Sequence, residues 1–220
     1  MKIAIIIPTL NEEKNLSVLL PRLTSYFSQA LIFVIDDGDD DTAKIAREHG
    51  AFVSRSLKKR GLSNSYREGL ELALAYDCDV IAIMDADHPA RALRDMALVV
   101  DYLGADIVIG KELGTRSTAS KVAGFLAKRY LGIKGVDQPT CGLMMFTAEL
   151  AKKVDFANVK AKSDAFHLEM LYRAIKCGAK VRQVYFYGHA KHEQNSVKRV
   201  FRWLWELFLM RWRQRKAYKP

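Results

Sequence analysis

Two aspartates one residue apart, Asp85 and Asp87, close an apolar run in the stretch VIAIMDADHPARAL, Val80 to Leu93. Side chains at i and i+2 of a strand point to one face. The spacing therefore predicts two carboxylates side by side at the end of a buried strand. Like charges so close repel. A hard divalent cation such as Mg²⁺ or Mn²⁺ takes oxygen ligands, so it would relieve the repulsion and bridge to the phosphates of a substrate. A DxD pair alone is a weak signal, because aspartates are common in loops after strands. Two further polar clusters strengthen it: Pro8-Thr9-Leu10-Asn11-Glu12 follows one apolar run, and Asp36-Asp37-Gly38-Asp39-Asp40-Asp41 follows the next. The acidic run also reads as a solvated turn that caps the following helix. His88 and Pro89 come directly after Asp87, and His88 either shapes a turn or adds a ligand. No GxGxxG follows the first apolar run and no GxxxxGK[ST] occurs anywhere, so the usual dinucleotide and P-loop fingerprints are absent.

The elements that must carry these clusters alternate between strand and helix. KIAIIIP (Lys2–Pro8) reads as a buried strand. A helix follows with Asn11 at its N-cap, Glu12 and Glu13 in its first turn, and Leu16, Leu19, Leu20 and Leu23 at helical spacing. Strands are expected at Ala30–Asp37, Ala51–Ser56, Asp79–Asp85 and Ala105–Gly110, and helices at Asp41–Gly50, Leu62–Tyr76 and Arg91–Leu103. The second half is less regular: a helix at Ser117–Leu131, a short strand at Gly142–Phe146, a helix at Ala165–Cys177 and a last strand at Ala179–Tyr187. Such alternation predicts an α/β fold, a mostly parallel sheet with helices on both faces. Ligands of such sheets bind at the carboxyl ends of the strands, and all three polar clusters fall there.

The chain has 220 residues, half of them hydrophobic, and a formal net charge of +10. From Ser196 to Pro220 eight Lys or Arg face Glu206 alone, so the tail carries +7 of that charge. Residues 1–195 are expected to form one domain and residues 196–220 a basic C-terminal helix. Around a helical wheel, Lys198, Arg199, Arg202, Glu206, Arg213 and Lys216 share a face, and Val200, Trp203, Leu204, Leu207, Phe208 and Trp212 lie broadly opposite, with Leu209 and Arg211 breaking the pattern. This is the pattern of a helix lying in a membrane interface; packing on the chain's own domain or on a second subunit is the alternative. No nucleic-acid recognition motif accompanies the basic tail. Cys78, Cys141 and Cys177 form no CxxC pair and read as reduced thiols of a cytosolic protein. The apolar run at the N-terminus is too short for a signal peptide, and no stretch approaches the ~20 apolar residues of a membrane span.

In order along the chain, IIIPTLNEEKNL, VIDDGDDDTAKIA, RGLSNSYREGLELA, IMDADHP, ASKVAGFLAKRYLG, VDQPTCGLMMF and AFHLEMLYRAIKCGAKVRQV resemble family 2 glycosyltransferases, and within them the dolichol- or polyprenyl-phosphate sugar transferases. The resemblance spans residues 2–198 and implies a Rossmann-like nucleotide-diphospho-sugar transferase fold. It implies that Pro8, Asn11 and Glu12 line the nucleoside pocket, that Asp37 with Asp36 holds the base, and that Asp85 and Asp87 face the sugar and hold the metal. Arg116 and Lys191 match positions for pairing with the donor diphosphate or acceptor phosphate, and Glu169 matches a glutamate on the acceptor side. Asp87, Glu169, Arg116 and Lys191 are thus the expected catalytic residues. Three features depart from the family pattern: His88-Pro89 follow Asp87 without two intervening residues, Gly110-Lys111-Glu112 stands where Gly-Ser-Arg is usual, and the acidic loop is one residue shorter.

The resemblance implies an inverting, metal-dependent hexosyltransferase using GDP- or UDP-linked sugar and a dolichyl or polyprenyl phosphate, acting peripherally on the cytosolic membrane face. An anionic phosphate acceptor needs positioning and charge stabilisation rather than a strong base. A saccharide hydroxyl acceptor would need a carboxylate base. That second acceptor, and a catalytically silent nucleotide-sugar-binding scaffold, are the rival readings.

Overall fold

A computed structural model describes residues 1–56, 58–114, 118–162, 165–188, and 205, 206, 208 and 209; of 118–123 it describes the backbone alone. The strands are β1 (Ile3–Thr9), β2 (Leu31–Asp36), β3 (Phe52–Arg55), β4 (Val80–Ile83), β5 (Ile107–Leu113), β6 (Met144–Thr147) and β7 (Val181–Tyr187). The helices are α1 (Glu13–Tyr26), α2 (Thr42–Glu48), α3 (Leu62–Ala75), α4 (Ala90–Leu103), α5 (Thr118–Leu131), α6 (Ala148–Lys153) and α7 (Ala165–Lys176), with a 3₁₀ turn at Phe156–Asn158.

The strands form one sheet in the order β3-β2-β1-β4-β6-β5-β7. Every neighbouring pair is parallel except those made by β6, which runs antiparallel to both β4 and β5. Burial on both faces explains the continuous apolar runs. All of β1 is buried, and Ile5, Ile6 and Ile7 have no exposed surface. Each such side chain contributes about 1.5–3 kcal/mol of hydrophobic stabilisation.

The strand order reverses between β1 and β4, since β1 connects outward to β2 on one side and meets β4 on the other. In open α/β sheets the crevice beyond the carboxyl ends at such a reversal is where ligands bind. The loops after β1 and β4 both open there. After β2 the chain returns to the same edge, where the amide of Asp37 donates to the carbonyl of Thr9 at 3.0 Å.

Two local expectations differ from the observed structure. Asn11 is not the N-cap of α1. It takes a left-handed conformation, φ 59°, and its side-chain oxygen accepts from the amide of Asp39 at 2.9 Å, while the helix starts at Glu13. Nor does β4 reach Asp85: it ends at Ile83, so Asp85 and Asp87 belong to a turn rather than to alternating strand positions. At the C-terminus Trp205, Glu206, Phe208 and Leu209 are helical, and the Trp205 and Phe208 rings stack with centroids 5.8 Å apart. The rest of the expected basic helix lies outside the described residues. Among the described residues no helix is long and apolar enough to cross a membrane.

Candidate active site

The turn after β4 draws three ligand-bearing side chains together. Asp85, Asp87 and His88 each offer one ligand atom, and the three atoms lie within 4.8 Å of one another. Among the described residues this is the only such group of three or more His, Cys, Asp or Glu. The turn is closed twice between the same two residues. The amide of His88 donates to the Asp85 carbonyl at 3.1 Å, and the amide of Asp85 donates to His88 Nδ1 at 3.0 Å. The clustering expected from sequence is present, and a turn rather than strand pleating produces it.

Side chains from distant parts of the chain hold this turn. Tyr66 of α3 is fully buried, stacks on Phe166 of α7 with centroids 5.2 Å apart, and donates its hydroxyl to Asp85 Oδ1 at 3.3 Å. Gly142, just before β6, leaves room for the other oxygen: a Cβ there would sit 2.8 Å from Asp85 Oδ2. Phe186 of β7 meets the His88 ring edge-on at 5.5 Å, and a Cβ at Gly110 would fall 2.7 Å from the Phe186 ring. Among the described residues Asp85 has no Lys or Arg within ion-pair distance. Two clustered carboxylates with hydroxyl and backbone support are a donor set that suits a hard divalent cation sharing its remaining positions with phosphate oxygens.

The acidic run after β2 is built differently. Asp36 is wholly buried. Its Oδ1 accepts from Thr9 Oγ1 at 3.0 Å and from the Gly38 amide at 3.1 Å, and its Oδ2 lies 3.5 Å from Arg55 Nε. Asp37 Oδ1 accepts from Arg60 Nε at 2.7 Å, and Oδ2 accepts the amides of Arg60 and Gly61 at 2.9 and 3.1 Å. The Arg60 guanidinium also pairs with Glu68 and donates to the carbonyls of Asp36 and Ser54. Burial pushes its ionisation down, but the hydrogen bonds and charges of Asp37 and Glu68 outweigh that and hold it above the ordinary arginine value. Asp40 accepts the amides of Glu13 and Thr42, at the starts of α1 and α2. Burial raises its carboxyl, yet those hydrogen bonds and the charge of Arg55 bring the net below the ordinary value. The capping role expected for the run is thus present at Asp40.

Pro8 is buried at the end of β1 and Glu12 accepts from Asn15 Nδ2 at 2.6 Å, both at the carboxyl edge. Glu169 of α7 is buried. Its Oε2 accepts the amide of Ala161 at 2.8 Å, and its Oε1 pairs with Arg173 at 2.5 Å. Lys111 is held by Asp137 at 2.5 Å and lies 4.9 Å over the Tyr185 ring. The hydrogen bond to Asp137 raises the Lys111 ammonium, and the same bond lowers the Asp137 carboxyl. Arg116 and Lys191 lie outside the described residues.

Residues 4–120 match the model of glycosyl transferase family 2. The chain belongs to that family. A polyprenol monophosphomannose synthase of Mycolicibacterium smegmatis is 32% identical over 199 residues, covering 82% of this chain and 74% of that protein. An undecaprenyl-phosphate mannosyltransferase of Micrococcus luteus is 26% identical over 200 residues, covering 84% and 82%. Among solved structures, mannosyl-3-phosphoglycerate synthase from Rubrobacter xylanophilus aligns over 100% of this chain and 76% of its own at TM-score 0.77 and 20% identity. Glucosyl-3-phosphoglycerate synthase from Mycobacterium tuberculosis, solved with Mn²⁺, UDP and phosphoglyceric acid, aligns over 95% and 78% at TM-score 0.74 and 18% identity. These structures confirm the nucleotide-sugar transferase fold, and membership of glycosyl transferase family 2 makes the chain a transferase.

Within this glycosyl transferase family 2 fold, Tyr66, Gly142, Arg60 and Phe186 are the site-building residues that reading the sequence did not single out. Arg60, Tyr66 and Gly142 lie inside the quoted stretches RGLSNSYREGLELA and VDQPTCGLMMF, which was the available signal; no quoted stretch contains Phe186.

Proposed function

We propose that this chain transfers a hexose from a GDP- or UDP-linked sugar to a polyprenyl or dolichyl phosphate, inverting the anomeric carbon, with a divalent cation held by Asp85 and Asp87. The observation that carries this reading is the clustered carboxylate turn at the strand-order reversal, where a donor diphosphate would lie. Two relatives whose names specify polyprenol- or undecaprenyl-phosphate mannose chemistry support the lipid phosphate acceptor.

In this reaction an acceptor phosphate oxygen attacks the sugar C1 from the face opposite the donor. The C1–oxygen bond to the diphosphate breaks as the new C1–oxygen bond forms. The acceptor oxygen is already anionic near neutral pH, so no base has to remove a proton. Glu169, expected among the catalytic residues, has both its oxygens taken by protein donors, so in this reading it supplies no base and instead positions the 158–161 segment. This favours the phosphate acceptor over a saccharide hydroxyl, which would need a free carboxylate base. When bound, the cation offsets charge on the departing diphosphate. Pro8, Asn11 and Glu12 line the nucleoside pocket, Asp36 and Asp37 form its internally braced wall, and Arg116 and Lys191 contact phosphates. The C-terminal segment holds the enzyme at the membrane surface, where Trp205 and Phe208 expose most of their area.

Calorimetric titration of GDP and UDP, each with Mn²⁺ and with EDTA, tests the donor side. Metal-dependent binding of one nucleotide is expected. Transfer of labelled hexose to polyprenyl phosphate in detergent then tests the acceptor. Nucleotide binding without transfer to any lipid or saccharide would replace this reading with the scaffold.

A further inference from the structure

We infer that His88 is a positioning residue, which closes the Asp85–Asp87 turn through Nδ1 and is not itself a ligand of the cation. The inference rests on the proposed two-carboxylate site, and it separates two roles that proximity alone leaves merged. One ring nitrogen of His88 lies within 4.8 Å of an oxygen of each carboxylate, close enough for the three to share a cation. Its ring, however, already has a structural bond: Nδ1 accepts the Asp85 amide at 3.0 Å. A nitrogen that accepts a hydrogen bond uses its lone pair, so it carries no proton and has nothing left for a metal. The proton of a neutral imidazole must then sit on Nε2, which makes that nitrogen a donor.

Ligation through Nε2 would require the other tautomer, with a proton on Nδ1. That proton would face the Asp85 N–H, donor against donor, and the turn would lose one of its two closing bonds. A part-buried amide left without its acceptor destabilises the turn. The surroundings also hold the ring in place. Phe186 meets it edge-on at 5.5 Å with an interplanar angle of 84°, and Phe186 is itself buried against the space that Gly110 leaves. The ring is thus clamped between a backbone amide and an aromatic edge. Its effect passes through the backbone: with Asp85 bonded at both its amide and its carbonyl, the two carboxylates of the turn keep a fixed separation. A metal site is sensitive to such indirect support, and removing it typically weakens affinity about 10–100-fold.

The two amide side chains copy the two ring nitrogens. Asn places an acceptor near Nδ1, and Gln places one near Nε2. Mn²⁺ alone is titrated into the full chain and into His88→Asn and His88→Gln, with binding read by electron paramagnetic resonance. His88→Asn is expected to bind Mn²⁺ within about threefold of wild type, and His88→Gln roughly 10–100-fold more weakly. Pulsed measurements on bound Mn²⁺ should show no directly coordinated imidazole nitrogen. A coordinated ¹⁴N signal in wild type that His88→Asn abolishes would overturn the proposal, as would rescue by Gln and not by Asn. The tautomer is read separately by ¹⁵N resonance of the metal-free protein, with His88→Asn supplying the assignment. A protonated Nε2 is expected, and a protonated Nδ1 overturns the proposal even if wild type binds no Mn²⁺ at all. Failure of Mn²⁺ binding with the Nε2–H tautomer intact would instead count against the two-carboxylate metal site.

Discussion

The two acidic segments at the carboxyl edge of the sheet look alike in composition and are built for opposite ends. After β2, the carboxylates of Asp36, Asp37 and Asp40 are met by Arg55, Arg60 and five backbone amides. After β4, Asp85 is met by a tyrosine hydroxyl and a glycine's open space, and its neighbours Asp87 and His88 crowd in. The first segment supplies its own positive charge and the second leaves room for a cation from outside. The number of acids therefore says little about where a cation binds; the source of the balancing charge decides it.

The strongest test of this contrast is Asp87→Asn. Sugar transfer in Mn²⁺ should fall by roughly 10²–10³-fold, the scale of losing one preorganised electrostatic element, with an unchanged melting temperature. Turnover within a few fold of wild type would erase the distinction between the segments. Arg60→Met probes the other side. It leaves Asp37, only 7% exposed, without its counter-charge, and chemical denaturation should register a loss of about 3 kcal/mol. A change below half of that would mean the first segment does not depend on its internal cation.

Gly142→Ala sharpens the comparison further, because the added methyl would press on Asp85 Oδ2 and on nothing in the acidic run. Mn²⁺ affinity should drop about tenfold while the Arg60 network is untouched, as seen in unchanged amide exchange at Gly61. The smallest effect is expected from Asp40→Asn. The Asp40 carboxyl is depressed in the folded state, so its stabilisation is present above the unfolded value near 3.9 and is lost as pH falls through the lower folded value. The variant should be about 0.5–1 kcal/mol less stable at pH 7, from the lost charge at two helix starts. The gap should close as pH drops below the carboxylate range; a gap independent of pH would show that charge is not what Asp40 contributes.

Much of this was legible in the sequence. The alternation of elements, the buried Ile-rich β1 and the placing of acids at strand ends all follow from local pattern, and each is present. What local pattern lacks is direction and partnership. GLMMF reads as a strand, but an apolar run of four or five residues says nothing about which way it points, so the antiparallel setting of β6 was not visible. The helix α6 and the 3₁₀ turn after it are too short to show a period. Asp85 and Asp87 were expected together on grounds of strand alternation, and the structure brings them together with a turn, because β4 stops at Ile83. The partners that give each acid its character come from afar in sequence: Arg60 for Asp37, Tyr66 and Gly142 for Asp85.

The position of β6 also dictates when the site can exist. β4 and β5 do not touch as strands; β6 fills the slot between them, and it is made after both. Ile83 pairs with Met144, about sixty residues later, so loop-closure entropy must be overcome before this pairing returns anything. A chain synthesised only as far as β5 already contains every carboxylate of both acidic segments, yet it has two open strand edges facing a gap and no Gly142 beside Asp85. On the proposed function, competence to bind donor therefore cannot precede the insertion of this four-residue strand. On a ribosome or in refolding, nucleotide binding should serve as a reporter that this central piece of the sheet has been set in place.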